Sequence, residues 1–359
     1  MKSVTEMESK NNDTIQVDET LLEQPISSIC EEVNDEDVSS IIPTQPISTE
    51  NELVIPQPDS SPPSIIDEKS VDVDEVRTPE FPPPIFDTLV LSGGSAKGML
   101  TLGALQFAYD NFLLKNLEIY IGTSSGAMIC YLLIIGYTPI EIMVYICTHQ
   151  LLEKMQHFNV VAMLQGRGAS SFHTIQETME KMTIEKIGYL PTIKDLYTNY
   201  GKTFICVTHN LTEGVTEYIK HDTHGSMPCI TALRLSANLP LVFEHYKYGK
   251  SFYIDGGISD NFAIDLGDRI GKKVLGITLS SEGQEGAKDI DMNPLELIYK
   301  LMFIPISLAV EYKISQASNK CKIIKLNYNK LKFFEFNVNS KEKLEMFSSG
   351  YQQIKQILE

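Results

Sequence analysis

The stretch Ile119-Tyr120-Ile121-Gly122-Thr123-Ser124-Ser125-Gly126-Ala127-Met128 limits the folds open to this chain more than any other. An apolar run ends in G-x-S-x-G, and a long apolar helical pattern follows at once. That order predicts a strand, a sharp turn carrying Ser124, and a helix. Gly122 and Gly126 let strand and helix pass closely around the turn. The arrangement is the sequence form of a nucleophile elbow, so the other segments are read for what they could supply to Ser124.

The segments around the elbow alternate in type. Phe86 to Ser92 reads as a first strand, running into Gly93-Gly94-Ser95-Ala96-Lys97-Gly98 and then a helix from Met99 to Leu114. Residues 127–147 have the apolarity of a membrane span, but Gly136-Tyr137-Thr138-Pro139 interrupts them. That sequence supplies a C-cap glycine, an N-cap threonine and an N1 proline, so two buried helices joined by a turn are expected. Helices follow at 140–164 and 173–184, with a loop at Gly166-Arg167-Gly168 and a short helix from Thr192 to Tyr197. Lys202 to Thr208 is a strand, with Gly214 to Ile219 pairing beside it, and Pro228 to Ser236 is helical. Ser251 to Ile254 is a strand ending in Asp255-Gly256-Gly257, and Lys273 to Leu279 is another. Such alternation implies an α/β fold of three layers, with a mainly parallel central sheet and helices on both faces.

The acidity of the chain is local. The formal charge of −17 divides into −16 through Pro84 and −1 over the remainder. Eleven of the 17 prolines also fall in that first segment. Such a segment cannot bury enough apolar surface to offset its ordering entropy, and residues 1–84 are expected to be a disordered acidic leader. The leader could bind a protein partner, although a purely solvating role is the plainer reading. The near-neutral remainder carries no basic footprint for nucleic acid. Met1-Lys2-Ser3-Val4-Thr5-Glu6 lacks the apolar core of a signal peptide, so a cytoplasmic protein is expected. Cys30, Cys130, Cys147, Cys206, Cys229 and Cys321 form no C-x-x-C pair and read as reduced residues.

A serine hydroxyl needs a base within hydrogen-bond reach and donors for the oxyanion that forms on attack. The usual base is a histidine held by a carboxylate, near the end of the chain. Here no histidine follows His245. Ser124, Asp222 and His245 stand in the right order for a triad, but neither partner sits at a convincing strand end, and His209 and His221 flank a hairpin or loop. Asp255 is the better partner. It follows the apolar Phe252-Tyr253-Ile254, and the carboxyl ends of parallel strands share one edge where ligand sites form. The loop 93–98, between a strand and a helix, is suited to hold negative charge. A dinucleotide fingerprint would need glycine where Ser95 stands, and a Walker loop would need Ser or Thr where Gly98 stands. The oxyanion role survives both comparisons, and Ser125, next after the nucleophile, adds its own N–H.

These motifs resemble the patatin-like phospholipase family. Its oxyanion loop corresponds to Gly93-Gly94-Ser95-Ala96-Lys97-Gly98, its elbow to Gly122-Thr123-Ser124-Ser125-Gly126, and its D-G-[GA] turn to Asp255-Gly256-Gly257. Ala232 to Pro240 with Phe243, Asn261, and Gly136 to Pro139 resemble further family segments. The resemblance spans about 86–280. It implies a Ser124–Asp255 dyad with no histidine, metal or cofactor, acting on acyl esters of phospholipids, lysophospholipids or glycerides, with peripheral membrane contact. It also implies a catalytic domain over 85–280, and the remaining 281–359 is expected to be a C-terminal α/β extension packed on the same domain. Ser95 stands where the family has its third glycine, and Asn261-Phe262-Ala263 lacks a proline often found two residues after the asparagine. The leader and tail lie outside the resemblance and are similar in style to patatin-like proteins of large DNA viruses. A catalytically inactive module that binds lipid or recruits a partner is the alternative.

Lys97 is left open between orienting the oxyanion loop, pairing with a carboxylate, and being solvated. Beyond residue 290, Asn293 to Gln316 is a strong helical pattern, with a kink or break expected at Pro305. Its face of Leu297, Leu301, Ile304 and Leu308 reads as core, with docking at an interface as the alternative. Cys321 to Leu326 and Lys332 to Phe336 alternate like strands, and Ser340 opens a final helix.

Overall fold

The computed structural model describes residues 86–149, 163, 168–280, 294–328 and 338–359. Within them the chain runs β1 (Thr88–Leu91), α1 (Gly98–Asp110), β2 (Ile119–Thr123), α2 (Ser125–Ile134), α3 (Pro139–Thr148), α4 (His173–Ile187) and α5 (Ile193–Tyr200). It continues with β3 (Thr203–Asn210), β4 (Val215–Ile219), α6 (Cys229–Ser236), β5 (Tyr246–Tyr248), β6 (Ser251–Asp255), α7 (Ile264–Ile270) and β7 (Val274–Leu279). Last come α8 (Pro294–Gln316), β8 (Cys321–Leu326) and α9 (Ser340–Leu358). Single helical turns lie at Ser95–Lys97, His221–His224 and Gly257–Asp260. The expected leader, the strand at 332–336, the far part of the 140–164 helix and most of the loop 166–168 lie outside the described residues.

The fold is an α/β architecture built on a mixed sheet. β3, β2, β1, β7 and β8 are parallel neighbours in that order. Their alternate residues point to opposite faces, and both faces are buried, as parallel strands flanked by helices require. Leu89, Leu91, Tyr120, Phe204 and Cys206 pack on one side in a core shared with α1, α2, α6 and α9. Val90, Ile121, Ile205 and Val207 pack on the other with Phe262 and Ile264 near α7 and Val310 of α8.

Strand direction corrects one expectation. β6 does not extend the parallel set, because it runs antiparallel to β3, with Thr208 opposite Asp255. β4 pairs with Cys206 to Asn210 of β3, β2 with Thr203 to Val207, and β6 with Thr208 to Asn210. A strand has two edges, so β2 and β6 share the edge that β4 leaves free. Being opposed in direction, they meet end to end there. The carboxyl ends of both strands thus arrive beside Val207 and Thr208.

The break in the apolar stretch at 136–139 is a turn between two helices. Thr138 accepts from the Glu141 N–H, and the Glu141 carboxylate accepts from the Thr138 N–H, a capping box with Pro139 behind the cap. α2 and α3 form a pair bent by 118°, and among the described residues no single helix is long and apolar enough to cross a membrane. α1 and α9 cross at two glycines. A Cβ at Gly103 would lie 1.8 Å from the Phe347 carbonyl oxygen, and one at Gly350 would lie 1.9 Å from that of Leu100.

α8 departs from its expected form. It runs unbroken through Pro305. Ile306 and Val310 are buried, but Leu297, Leu301, Ile304 and Leu308 are 48–66% exposed. The face expected in the core is therefore the outer one. A helix apolar all round gives no period by which to choose its buried side.

Candidate active site

Ser124 stands at the tip of the turn between β2 and α2 with φ 54° and ψ −123°. A non-glycine residue there costs about 1–3 kcal/mol and persists only where the surroundings hold it. Gly122 and Gly126 supply the close approach. A Cβ at Gly122 would meet the Ala127 Cα at 2.5 Å, and one at Gly126 the Ser92 carbonyl oxygen at 2.6 Å. The Ser124 N–H donates to Ser236 Oγ at 2.9 Å, and that hydroxyl donates to the Val207 carbonyl at 2.6 Å. One buried hydroxyl thus clamps the elbow onto β3.

Ser124 Oγ donates to Asp255 Oδ2 at 2.7 Å. The other carboxylate oxygen accepts the Gly257 N–H at 2.7 Å. Asp255 is 4% exposed. Burial pushes its pKa up to about 6, against the opposing pull of the bonds from Ser124 and Gly257. The backbone around it is held by the end of α6. The Asp255 N–H donates to the Asn238 carbonyl and the Gly256 N–H to that of Ser236, which satisfies carbonyls left over at a helix C-terminus. Asn238 is oriented in turn, donating to the Tyr253 carbonyl at 2.7 Å and accepting from Arg234 Nη1 at 2.7 Å.

The loop 93–98 lies beside both groups. Its N–H groups differ in their commitments. Gly93 donates to the Asn261 carbonyl, Gly94 to Ser125 Oγ at 3.1 Å, and Lys97 to the Gly94 carbonyl. Asn261 Nδ2 returns a bond to the Gly93 carbonyl at 3.4 Å, tying this loop to the turn after Asp255. Ser95 sits at φ 52°, the left-handed region where glycine is favoured. Lys97 is not solvated. It is 8% exposed, and burial holds its pKa below the usual lysine range. Among the described residues no carboxylate pairs with it.

Ser124, Ser125, Ser95, Ala96, Gly98 and Asp255 open into an apolar cleft. Its walls are side chains of α1, α2, α3 and α4, including Met99, Leu102, Met128, Leu132, Met179 and Met182, together with Ala237, Leu239 and Phe243 after α6. Among the described residues Asp255 is the one ionisable group lining it, and none of the described histidines does. Alternation along β3 explains why His209 is not there. Cys206 and Thr208 share the face of Ser124 and Asp255, and His209 belongs to the other. His221 stacks on Tyr197 with ring centroids 4.0 Å apart, and Asp222 pairs with Lys220 at 2.9 Å. Among the described residues no group of three His, Cys, Asp or Glu is placed to hold a metal ion.

Ser236 and Asn238 were not among the expected site residues. Their signal is two polar residues inside Leu235-Ser236-Ala237-Asn238-Leu239, since buried polar groups in an apolar stretch need partners.

Comparison with known proteins agrees in kind. A probable lipid hydrolase of Invertebrate iridescent virus 6 is 34% identical over 190 residues, which are 51% of this chain and 64% of that protein. The chain therefore spans less than two thirds of that relative. An uncharacterized protein of Acanthamoeba polyphaga mimivirus is 26% identical over 279 residues, 75% of this chain and 92% of its own length. Among solved structures, VipD from Legionella pneumophila is similar over 77% of this chain and 67% of its own, with a TM-score of 0.42 at 15% identity. The type III effector ExoU is similar over 77% and 53%, with a TM-score of 0.40 at 16% identity. Residues 89–267 match the family model of patatin-like phospholipases. With that span carrying the elbow, the glycine-rich loop and the Asp255 turn, the chain belongs to the patatin-like phospholipase family.

Proposed function

We infer that this protein hydrolyses carboxylic esters of lipids, with Ser124 as nucleophile and Asp255 as the base that serves it. The observation that carries the reading is the 2.7 Å bond from Ser124 Oγ to a buried carboxylate at the mouth of an apolar cleft. The Ser124 oxygen attacks the acyl carbonyl while its proton passes to Asp255 Oδ2. The tetrahedral oxyanion is received by N–H groups of the 93–98 loop and of Ser125. Within the loop we assign this to Ser95 and Ala96, because Gly93, Gly94 and Lys97 already spend their N–H groups on protein acceptors. Collapse breaks the ester bond, and the proton on Asp255 goes to the departing alkoxide. Water then attacks the acyl-enzyme, gives its proton to Asp255, and releases the fatty acid as Ser124 recovers its own.

The cleft supports the substrate class. Its apolar walls suit an acyl chain, and a single carboxylate beside the serine suits proton transfer rather than charge recognition. We take 85–280 as the catalytic domain and 281–359 as an extension on it, with α9 seated on α1. A long-chain substrate also calls for peripheral contact with a lipid surface.

Hydrolysis of a p-nitrophenyl acyl ester by the purified chain tests the reading. Ser124→Ala and Asp255→Asn should each lower turnover by about 10²-fold or more, whereas replacing His209, His221 or His245 should leave it largely intact. Activity that survives both dyad changes would sink the proposal. A fluorophosphonate probe separates it from an inactive lipid-binding module, which should not be labelled at Ser124.

A further inference from the structure

The outer face of α8 is unlike the surface of the other long helices. Leu297, Ile298, Leu301, Ile304, Leu308 and Tyr312 are each 47–68% exposed. Their spacing places them along one side, while Ile306 and Val310 pack inward. No charged residue interrupts the run from Leu301 to Val310.

The position of this stripe follows from topology. α8 connects the end of β7 to the start of β8, and those two strands are parallel, so the helix descends from the carboxyl edge of the sheet to the opposite edge. Glu311 pairs with Lys325, which lies opposite Thr278 near the carboxyl end of β7. Lys313 pairs with Asp260 at 2.8 Å, and the Asp260 carbonyl accepts from Thr123 at the end of β2. At 1.5 Å per residue, the segment from Leu297 to Glu311 is about 20 Å long and reaches the carboxyl edge of the sheet at Glu311, with Met302 and Phe303 packed against the core and Ile306 buried. That is the edge where β2 delivers Ser124.

We propose that the outer face of this half of α8 docks on the surface of a phospholipid bilayer and brings the cleft to its substrate. The proposal rests on the lipid-hydrolase reading and names the physical form of its substrate. Three observations favour a lipid surface over a second copy of the chain. The six side chains expose on the order of 600 Å², short of the roughly 800 Å² per partner of a standard stable interface. The stripe is uncharged and, apart from Tyr312, aliphatic, which suits burial at the acyl boundary and offers no charge for pairing with a specific protein partner. It stands on the edge that carries the cleft, so one planar surface can meet both.

The test is co-sedimentation of the full chain with phosphatidylcholine vesicles. Wild type and Ser124→Ala should both sediment with vesicles. The triple variant Leu301→Ser, Ile304→Ser, Leu308→Ser should lose about tenfold or more in the bound fraction, while its turnover of a monomeric short-chain ester stays within about twofold. The second measure shows that the variant is folded. A single Leu308→Arg change should act in the same direction. Vesicle binding equal to wild type in the triple variant would overturn the proposal. So would a wild-type dimer, seen by light scattering, that the triple variant splits. Docking that persists in a protein without esterase activity would remove the hydrolase reading and leave the surface standing.

Discussion

Ser124 and Asp255 place opposite demands on stability. Asp255 has a pKa raised by burial to about 6, so the folded protein binds more protons than the unfolded chain between about pH 4 and pH 6. Stability from this group is fully present below that window and is lost as pH rises through it, a cost on the order of 2–3 kcal/mol at neutral pH. On the proposed mechanism catalysis runs the other way, because only the ionised carboxylate would accept the serine proton. Turnover of a soluble ester should therefore fall about tenfold per pH unit below about pH 6. Asp255→Asn should abolish activity yet raise the melting temperature by a few degrees at about pH 7.5, with the gain gone by about pH 4.5. The gain is trimmed because the amide offers one acceptor for the two bonds from Ser124 and Gly257. Ser95 provides a separate test. Its φ of 52° costs a serine about 1 kcal/mol or more that glycine avoids, so Ser95→Gly should stabilise the fold by about that amount in urea denaturation. At this scale the sequence was informative about identity. Ser124, Asp255 and the loop could be singled out because strand ends and glycine turns mark them. Ser236 was not singled out as the clamp, because its importance depends on Val207 and the elbow being neighbours across 29 and 112 residues.

Elements were legible where the signal was local. The Thr138-Pro139-Ile140-Glu141 cap separated α2 from α3, and α9 begins behind Asn339, which accepts from the Glu342 N–H in a second capping box. Direction and facing were not legible. The residues of β6 alternate in the same way whether the strand is parallel or antiparallel, and its hairpin with β5 is what turns it against β3. α8 is apolar on every side in sequence, so only its packing shows that Ile306 faces inward and Ile304 outward. The crossing of α1 and α9 was also hidden, since Gly103 and Gly350 are ordinary helix glycines until the helices are juxtaposed. Gly350→Ala should cost about 1–3 kcal/mol or more, because its Cβ lands on the Leu100 backbone rather than on a side chain that can move. α1 begins at Gly98, within the loop beside Ser124, so ester turnover should fall together with the urea midpoint.

At the scale of the whole molecule, the sheet and its helices divide the work between two sides. One core, with α1, α2, α3 and α4, surrounds the cleft, and the other, with α7 and α8, backs the strands that carry Ser124 and Asp255. The parallel framework and the serine and aspartate at one edge were readable because strand and helix periods differ. The cleft was not, because it is assembled from four helices between residues 98 and 187 and from Ala237, Leu239 and Phe243 far along the chain, and none of these marks its inner face in sequence. That assembly leads to a prediction about chain length. The thioether side chains of Met179 and Met182 on α4 face the cleft across from Leu102 and Leu132, and methionine fills or yields space more readily than a rigid ring. Met179→Trp should take volume from the cleft while leaving Ser124, Asp255 and the loop untouched. Hydrolysis of a four-carbon acyl ester should then stay within about threefold of wild type, while a sixteen-carbon ester should lose about tenfold or more in kcat/KM. Equal losses on both esters would mean that the acyl chain does not run past α4. A ratio that shifts toward the short ester would place the chain between α2 and α4, with its carbonyl at Ser124.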